Sequence, residues 1–255
     1  MLHTLQRWLR SAETMDTPAP RGVQAPSSAI EQRLSRLAPF PAPGQQLLVE
    51  QSLLVFDLET SGLNLKRDHI LSAGAIRVDG LDIMLGKTYE RVFNIDTELQ
   101  RDSQLFHGLT AADLRQGHDP RTALLDLLEH GQGAIWLAWQ GWFDQHMLYK
   151  AARQWLGMDP AQLPKVLDLA LIAPALFPEH KQRHGDLGHW LERLGLDNAR
   201  RHHATADAMA TAELTLVCLH RAMARGLRTW GELASLATQE RQARERQEQA
   251  LRHGF

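Results

Sequence analysis

The chain has 255 residues, 44% of them hydrophobic, and a formal net charge of −2 at pH 7. A chain of this size and composition is expected to fold into a globular protein with a sizeable buried core. The near-neutral charge excludes the globally basic surface that grips long nucleic-acid duplexes, so any polyanion must be held locally. No apolar run reaches the roughly 18 residues of a membrane span and no signal-peptide core is present, which predicts a cytoplasmic protein that contacts no membrane.

The residues before position 47 differ in composition from the rest of the chain. Residues 1–12 form a predicted amphipathic helix with leucines and a tryptophan on one face, which we expect to dock on its own domain or on a protein partner. Residues 13–46 hold six of the 11 prolines together with Ala and Ser, which predicts a largely extended linker. The folded domain is therefore expected to begin near residue 47.

Residues 47–237 carry the pattern of one α/β domain. The first three strands, of which the last two are joined by the hairpin dipeptide Asp79-Gly80, predict an antiparallel meander. Helices and strands then alternate, which indicates a mixed central sheet flanked by helices. The predicted strands cover residues 52–58, 70–78, 81–93, 134–139 and 166–169, and the predicted helices cover 103–115, 120–130, 143–156, 186–194 and 204–225. Residues 238–255 form a charged tail, predicted to be a solvated helix or a frayed end.

The first strand ends in two carboxylates at alternate positions. Because side chains alternate along a strand, Asp57 and Glu59 project from the same face and converge. Such a pair at the end of a buried strand repels itself unless a cation neutralises it, and hard oxygen ligands suit Mg²⁺ or Mn²⁺. The pattern predicts a metal site, and its alternative is a strand that ends in polar residues before a turn.

Two further segments place acidic residues at element boundaries. Phe143 and Asp144 follow the strand that ends at Trp139, and His202 and Asp207 lie at the start of the last predicted helix. Each acid alone is also typical of an ordinary first helical turn, where the helix dipole favours negative charge. Together, four carboxylates and one histidine exceed what capping requires and supply the groups that two-metal phosphodiester hydrolysis needs.

In these motifs the chain resembles the DEDDh exonucleases, the DnaQ-like group of the ribonuclease H-like superfamily. That family has DxET followed by a small residue and Gly, a second motif ending in Phe-Asp, and HxAxxD as a third motif, all present here between residue 52 and about residue 220. The matching residues are Asp57, Glu59, Thr60, Ser61, Gly62, Phe143, Asp144, His202, Ala204 and Asp207. Supporting similarities are Leu63, the turn His107-Gly108-Leu109-Thr110, and Asp168-Leu169-Ala170 in place of Asp-Thr-Leu.

The resemblance implies a fold, a cofactor and a reaction. The fold is an α/β, ribonuclease H-like five-stranded mixed sheet flanked by helices. The cofactor is two Mg²⁺ ions, for which Mn²⁺ could substitute, held by Asp57, Glu59 and Asp207, with Asp57 bridging both ions and Asp144 acting mainly through water. His202 would be the general base, because its unperturbed pKa suits neutral pH. The implied reaction removes 5′-mononucleotides from a free, single-stranded 3′ end, with DNA favoured.

The resemblance also implies where the substrate end binds. Backbone groups near the first motif would receive the 3′ terminus, while Leu63 and His107 would flank its base. The predicted substrate contacts are Thr60, Ser61, Gly62, Leu63, His107, Trp139 and Phe143. Basic residues cluster at 181–184 and at 200–203, and they are candidate phosphate contacts.

Two positions depart from the family pattern. A sister group uses tyrosine one position after the catalytic histidine, and His203 lies there; we expect His202 to be the base and His203 to be a phosphate contact or a helix-start residue. Trp139 and Gln140 replace the family's His-Asn pair. With Trp136 and Trp142, Trp139 is expected either to offer a stacking surface for single-stranded substrate or to belong to the core.

Two other functions stay open at this stage. The first is an exoribonuclease or oligoribonuclease, since members of this fold act on DNA, RNA or both. The second is a regulatory module that recognises nucleic-acid ends without hydrolysing them. The sequence does not indicate an oligomeric state.

Overall fold

The computed structural model describes residues 28–97, 107–180, 185–197 and 201–253. The predicted N-terminal helix, the linker up to residue 27 and the candidate phosphate contacts at 181–184 and 200 lie outside these residues. The strands are β1 (Leu53–Thr60), β2 (Ile70–Asp79), β3 (Asp82–Val92), β4 (Ile135–Ala138) and β5 (Val166–Asp168). The α-helices within the described ranges are α1 (Ser28–Leu34), α2 (Ala111–Gln116), α3 (Pro120–His130), α4 (Gly141–Ala151), α5 (Leu169–Leu176), α6 (Leu187–Arg193), α7 (Ala204–Ala224) and α8 (Trp230–His253).

The five strands form one mixed sheet in the order β3-β2-β1-β4-β5. β1 pairs antiparallel with β2, which pairs antiparallel with β3, whereas β1 pairs parallel with β4 and β4 with β5. The predicted meander followed by a mixed sheet is therefore confirmed. β1 is the central strand of the sheet. Side chains at its C-terminal end therefore lie between neighbouring strands on both sides, where the flanking helices can contact them.

Successive side chains of β1 belong to two different cores, one on each face of the sheet. Leu53 and Val55 pack with residues of α5, α7 and α8, while Leu54 and Phe56 pack with residues of α3 and α4. All four are fully buried. Since the strand alternates, Asp57 and Glu59 continue the face of Leu53 and Val55, the face that α7 covers.

The predicted extended linker is wrong over residues 28–34, because these residues form α1. Ile30 is buried, and Arg33 binds the carboxylates of Asp126 and Glu129 on α3. A helix this short does not persist by its own propensity, so these tertiary contacts stabilise it. The prolines on both sides of this segment led to the prediction of an extended linker in place of a helix.

Two other predicted elements need correction. The predicted helix over 103–115 is interrupted in its described part, because Gly108 has φ +70° and Thr110 caps a new helix, α2, in a capping box with Asp113. The predicted tail from residue 238 continues α8, and its Glu240 is buried. Residue 237 therefore lies within a packed helix and not at its end. Among the described helices, none has the length and apolar character that crossing a membrane requires.

Candidate active site

Asp57, Glu59 and Asp207 converge where β1 ends beneath the first turn of α7. One carboxylate oxygen from each lies within 4.8 Å of the other two. The first two come from alternate positions of β1, and Asp207 is an acidic residue of the first turn of α7. The three residues that were predicted as direct metal ligands are thus brought together, although they span 150 positions of sequence.

Gly74 on β2 makes this convergence sterically feasible. It lies opposite Asp57 in the β1–β2 ladder. A Cβ atom built on Gly74 would lie 2.2 Å from the backbone nitrogen of Thr205, at the start of α7. The absent side chain lets the helix N-terminus approach the sheet closely, which carries Asp207 to the β1 carboxylates. A glycine inside an apolar strand is the sequence signal for such an approach, but it does not say what approaches.

Asp144 joins the centre from the first turn of α4, where it is buried. The residue before α4, Gln140, has a left-handed backbone with φ 54°. The carboxylate of Asp168, at the end of β5, accepts a hydrogen bond from the backbone N–H of Ala170 at 2.9 Å, and the backbone dipoles of Gly141 and Gln140 favour its charged form. Gly141 packs closely on β5, since a Cβ there would lie 3.2 Å from the carbonyl oxygen of Leu167. The end of β5 therefore supports the turn from which Asp144 projects.

The electrostatics of the centre favour a bound cation. Burial, reinforced by Asp144, Glu59 and Asp207, raises the pKa of Asp57 well above its ordinary value. Burial and the charge of Asp207 raise the pKa of Glu59 to about 7. Burial and the nearby Asp168 raise the pKa of Asp144. Like charges held this close in a buried site repel one another, and a divalent ion with a preference for oxygen ligands removes that repulsion.

The two adjacent histidines have different environments. His202 is exposed and left-handed, with φ 64°, and its backbone N–H donates to Oδ2 of Asp207 at 2.9 Å. His203 is the residue before α7, and its Nε2 lies 3.4 Å from Oε1 of Glu90 on β3. The His202 side chain is therefore presented at the surface of the centre, whereas the His203 imidazole is engaged by the neighbouring strand. Arg201 adds a positive charge, with Nε 3.6 Å from Oδ1 of Asp207.

The loop after β1 is held rigidly by the buried carboxylate of Asp68. It accepts hydrogen bonds from Oγ of Ser61 at 3.2 Å and from the backbone N–H of Asn64 at 2.6 Å. Gly62 has no room for a Cβ, which would lie 2.5 Å from Oδ2 of Asp68. Lys150 on α4 donates to the carbonyl oxygen of Asp68. The Ser61 hydroxyl is thus turned inward, where it supports the loop.

The same loop presents an apolar side chain to solvent. Leu63 is 73% exposed. The Thr60 hydroxyl donates to the carbonyl oxygen of Gly62 at 2.9 Å, so this side chain also stabilises the conformation of the loop. Exposure of a large leucine on a fixed loop beside buried carboxylates is the arrangement expected of a substrate contact.

A small open cleft lies beside the centre. Glu59, His107, His203 and Thr205 are among the residues that line it. His107 accepts a hydrogen bond at Nδ1 from the backbone N–H of Leu109 at 3.0 Å, which places the ring proton on Nε2. The predicted substrate contact His107 therefore lines the same cleft as the carboxylate of Glu59.

The aromatic residues of the second motif divide into core and surface. Trp139 exposes only 8% and packs against Trp190, with ring centroids 6.5 Å apart. Its predicted role as a stacking surface is wrong, because the sheet edge and α6 cover it; Trp136 is likewise fully buried. Trp142 and Phe143 are half-buried in the first turn of α4, with centroids 5.8 Å apart, and so keep surface near Asp144.

The fold and the acidic centre define a nuclease domain of the ribonuclease H-like class. The RNase T exonuclease family model matches residues 54–215. The chain belongs to this exonuclease family, which confirms the resemblance to the DnaQ-like group.

Curated relatives are larger than the segment they share with this chain. DNA polymerase III PolC-type of Bacillus subtilis is 29% identical over 188 residues, which cover 74% of this chain and 13% of the polymerase. The DNA polymerase III subunit epsilon-like protein of Rhodobacter capsulatus is 30% identical over 202 residues, covering 74% of this chain and 27% of that protein.

Solved structures show the same fold. Exonuclease I of Escherichia coli in complex with a dT13 oligonucleotide matches with a TM-score of 0.58 and 21% identity, over 68% of this chain and 42% of that one. The complex of the same enzyme with a dA16 oligonucleotide matches with the same TM-score and identity. At this level of identity the likeness establishes the shared architecture alone.

Proposed function

We propose that this protein is a metal-dependent 3′ to 5′ exonuclease that releases 5′-mononucleotides from single-stranded ends. The observation that carries the proposal is the convergence of Asp57, Glu59 and Asp207 within 4.8 Å of one another. Family membership supplies the reaction class, and the exposed His202 beside Asp207 supplies an imidazole, the side chain that most often serves as a general base.

The residues present fit a pair of divalent cations. Carboxylates that converge and raise each other's pKa form the donor set that Mg²⁺ and Mn²⁺ prefer. Asp57, Glu59 and Asp207 would hold the ions, and the nearby Asp144 would add a further carboxylate to the site. When bound, the ions would stabilise the charge on both the attacking and the leaving oxygen of the phosphodiester.

His202 would act as the general base. An imidazole nitrogen of His202 would take the proton of the attacking water, and the hydrogen bond from its backbone N–H to Asp207 fixes where the residue lies relative to the carboxylates. A left-handed backbone at a non-glycine residue costs free energy, and such strain concentrates at functional sites. The role belongs to His202 and not to His203, because Glu90 engages His203.

The substrate would enter as a single strand across the loop after β1. Leu63 would contact the terminal base from one side and His107 from the other, since these side chains flank the centre on separate elements. The net charge of −2 offers no broad basic surface for a duplex, in agreement with a locally held strand. DNA is favoured because the named relatives are DNA polymerases and the solved neighbours hold deoxyoligonucleotides.

The test uses matched 5′-labelled DNA and RNA oligomers, including dinucleotides, incubated with the purified chain and Mg²⁺. We expect DNA to shorten stepwise from the 3′ end with release of 5′-mononucleotides, and Asp57→Asn to lose at least about 10³-fold in rate. EDTA should stop the reaction. Faster digestion of RNA or dinucleotides would support an exoribonuclease, and tight end binding with no Mg²⁺-dependent hydrolysis would support a binding module.

A further inference from the structure

We propose that Arg244, on the C-terminal helix α8, is a positioning residue for the acidic centre; the proposal rests on the exonuclease function proposed above. α8 lies beyond residues 54–215, the segment that the exonuclease family shares. It nevertheless packs against α5 and contacts β5. Trp230 and Leu233 are fully buried, so the helix is an integral part of the folded domain.

Arg244 reaches from α8 to the turn that joins β5 to α5. Its Nη2 donates a hydrogen bond to the carbonyl oxygen of Ala170 at 2.9 Å, and its Nε donates to Oε1 of Glu240 at 2.9 Å. Glu240 is buried at 7% exposure, whereas the Arg244 side chain is 39% exposed, so the carboxylate anchors a guanidinium that lies partly at the surface. A guanidinium fixed at two points defines its position more closely than a single flexible surface contact does.

Asp168 connects this turn to α4. It lies two residues before Ala170 and accepts that residue's backbone N–H, while Arg244 holds the carbonyl oxygen of the same residue. Burial raises the pKa of Asp168 to about 6, and the positive charge of Arg244 opposes the rise. Arg244 therefore fixes the turn that begins at Asp168, at the end of the strand on which α4 packs.

Gln140 and Gly141 form the turn through which α4 packs on the end of β5. The backbone of Gln140 is left-handed, which is unfavourable for a side chain with a Cβ, and Gly141 packs so closely on β5 that a Cβ would lie 3.2 Å from the carbonyl oxygen of Leu167. Asp144 follows four residues after Gln140 in the first turn of α4. If the end of β5 moves, the Gln140 backbone can relax and the first turn of α4 can rotate. Asp144 then shifts relative to Asp57.

The structural test is amide hydrogen exchange of residues 138–145. The variant Arg244→Met/Glu240→Gln removes the guanidinium without leaving a buried, unpaired carboxylate. We expect exchange in this segment to become about tenfold faster, while β2, residues 70–79, keeps its protection. The controls are Glu240→Gln alone and Arg241→Met, an exposed arginine on the same helix, and neither should change exchange at 138–145.

The functional test is steady-state kinetics on the same set. In Arg244→Met/Glu240→Gln, kcat should fall about tenfold and KM should change less than kcat, because Phe143 is the one predicted substrate contact in the affected turn and the loop after β1 is untouched. Arg244→Lys should restore most of kcat by keeping the cation. Unchanged exchange at 138–145, or a kcat loss that lysine does not recover, overturns the proposal. If the wild-type chain releases no nucleotide, the proposed function fails, while hydrogen exchange still decides the role of Arg244.

Discussion

Gly74 and Asp57 are paired across the β1–β2 ladder. Because Gly74 has no side chain, helix α7 can approach the Asp57 carboxylate. The start of α7 occupies the space that a Cβ on Gly74 would fill. The close approach is a property of the backbone, since the atoms in conflict belong to Ala204 and Thr205 and cannot rotate away. The acidic centre thus depends on a residue that carries no functional group.

Gly74→Ala should displace the N-terminus of α7 and separate Asp207 from Asp57 and Glu59. We expect activity to fall about 10²-fold, since a shift near 1 Å in a catalytic group has that effect. Overpacking should also lower the free energy of unfolding by about 1–3 kcal/mol. The measurements are Mg²⁺-dependent nucleotide release and urea denaturation.

Gly86→Ala is the matched control for Gly74→Ala. Gly86 lies in the neighbouring strand β3, and no heavy atom lies within 4 Å of the Cβ it would gain. This variant should keep wild-type activity, with a stability change within about 0.5 kcal/mol. Equal behaviour of the two variants would show that the tight contact at Gly74 does not position α7.

His202→Ala and His203→Ala should separate the general base from its neighbour. Loss of a general base typically costs about 10² to 10⁴ in turnover, so His202→Ala should lose kcat by that factor. His203→Ala should keep kcat and lose only the contact with Glu90. Single-turnover rates at saturating Mg²⁺ check this directly. A larger loss in His203→Ala would reverse the assignment.

The sequence predicted the sheet and most of the centre because their signals are local or carried by motifs. The alternation of β1 placed Asp57 and Glu59 on one face, and the resemblance to a known family joined Asp144, His202 and Asp207 to them. No similar sequence signal marks a contact between two distant backbone segments. The close packing of the α7 N-terminus on Gly74 was therefore not predicted.

The errors share a physical cause, which is tertiary contact that overrides local composition. Trp139 replaces a residue of the family motif, yet packing against Trp190 makes it core. α1 forms in a proline-rich stretch because it packs on the domain, where Arg33 binds two carboxylates of α3. α8 is rich in charge beyond residue 237, but Arg244 pairs with Glu240 on the same helix and donates to the carbonyl oxygen of Ala170 in the β5–α5 turn.

The metal-free protein should lose stability as pH rises. Burial and Asp207 raise the pKa of Glu59 from 4.5 to about 7 in the folded chain. A carboxyl whose folded pKa exceeds its unfolded pKa contributes stability below the unfolded value, and this contribution disappears as pH rises through about 7. In EDTA, we expect Tm to fall between pH 4.5 and pH 7.

Divalent ions should reverse that loss, because they bind the charged carboxylates. Mg²⁺ or Mn²⁺ should raise Tm by roughly 5 °C or more at pH 8 and by much less near pH 5. Asp57→Asn removes one repelling charge, so in EDTA at pH 8 it should melt above the wild type and gain little from the ion. Calorimetry of both proteins at the two pH values checks this, and an ion effect independent of pH would contradict it.

Leu63 and Leu85 are both exposed leucines, at 73% and 69%, but only the first adjoins the acidic centre. Leu63→Ala should therefore raise KM for single-stranded substrate about tenfold with little change in Tm, because the lost contact is with substrate and not with the core. Leu85→Ala, on β3, should change neither quantity. Equal KM values for both variants would show that the loop after β1 does not receive the terminal base, and a fall in Tm for Leu63→Ala would instead assign the side chain to packing.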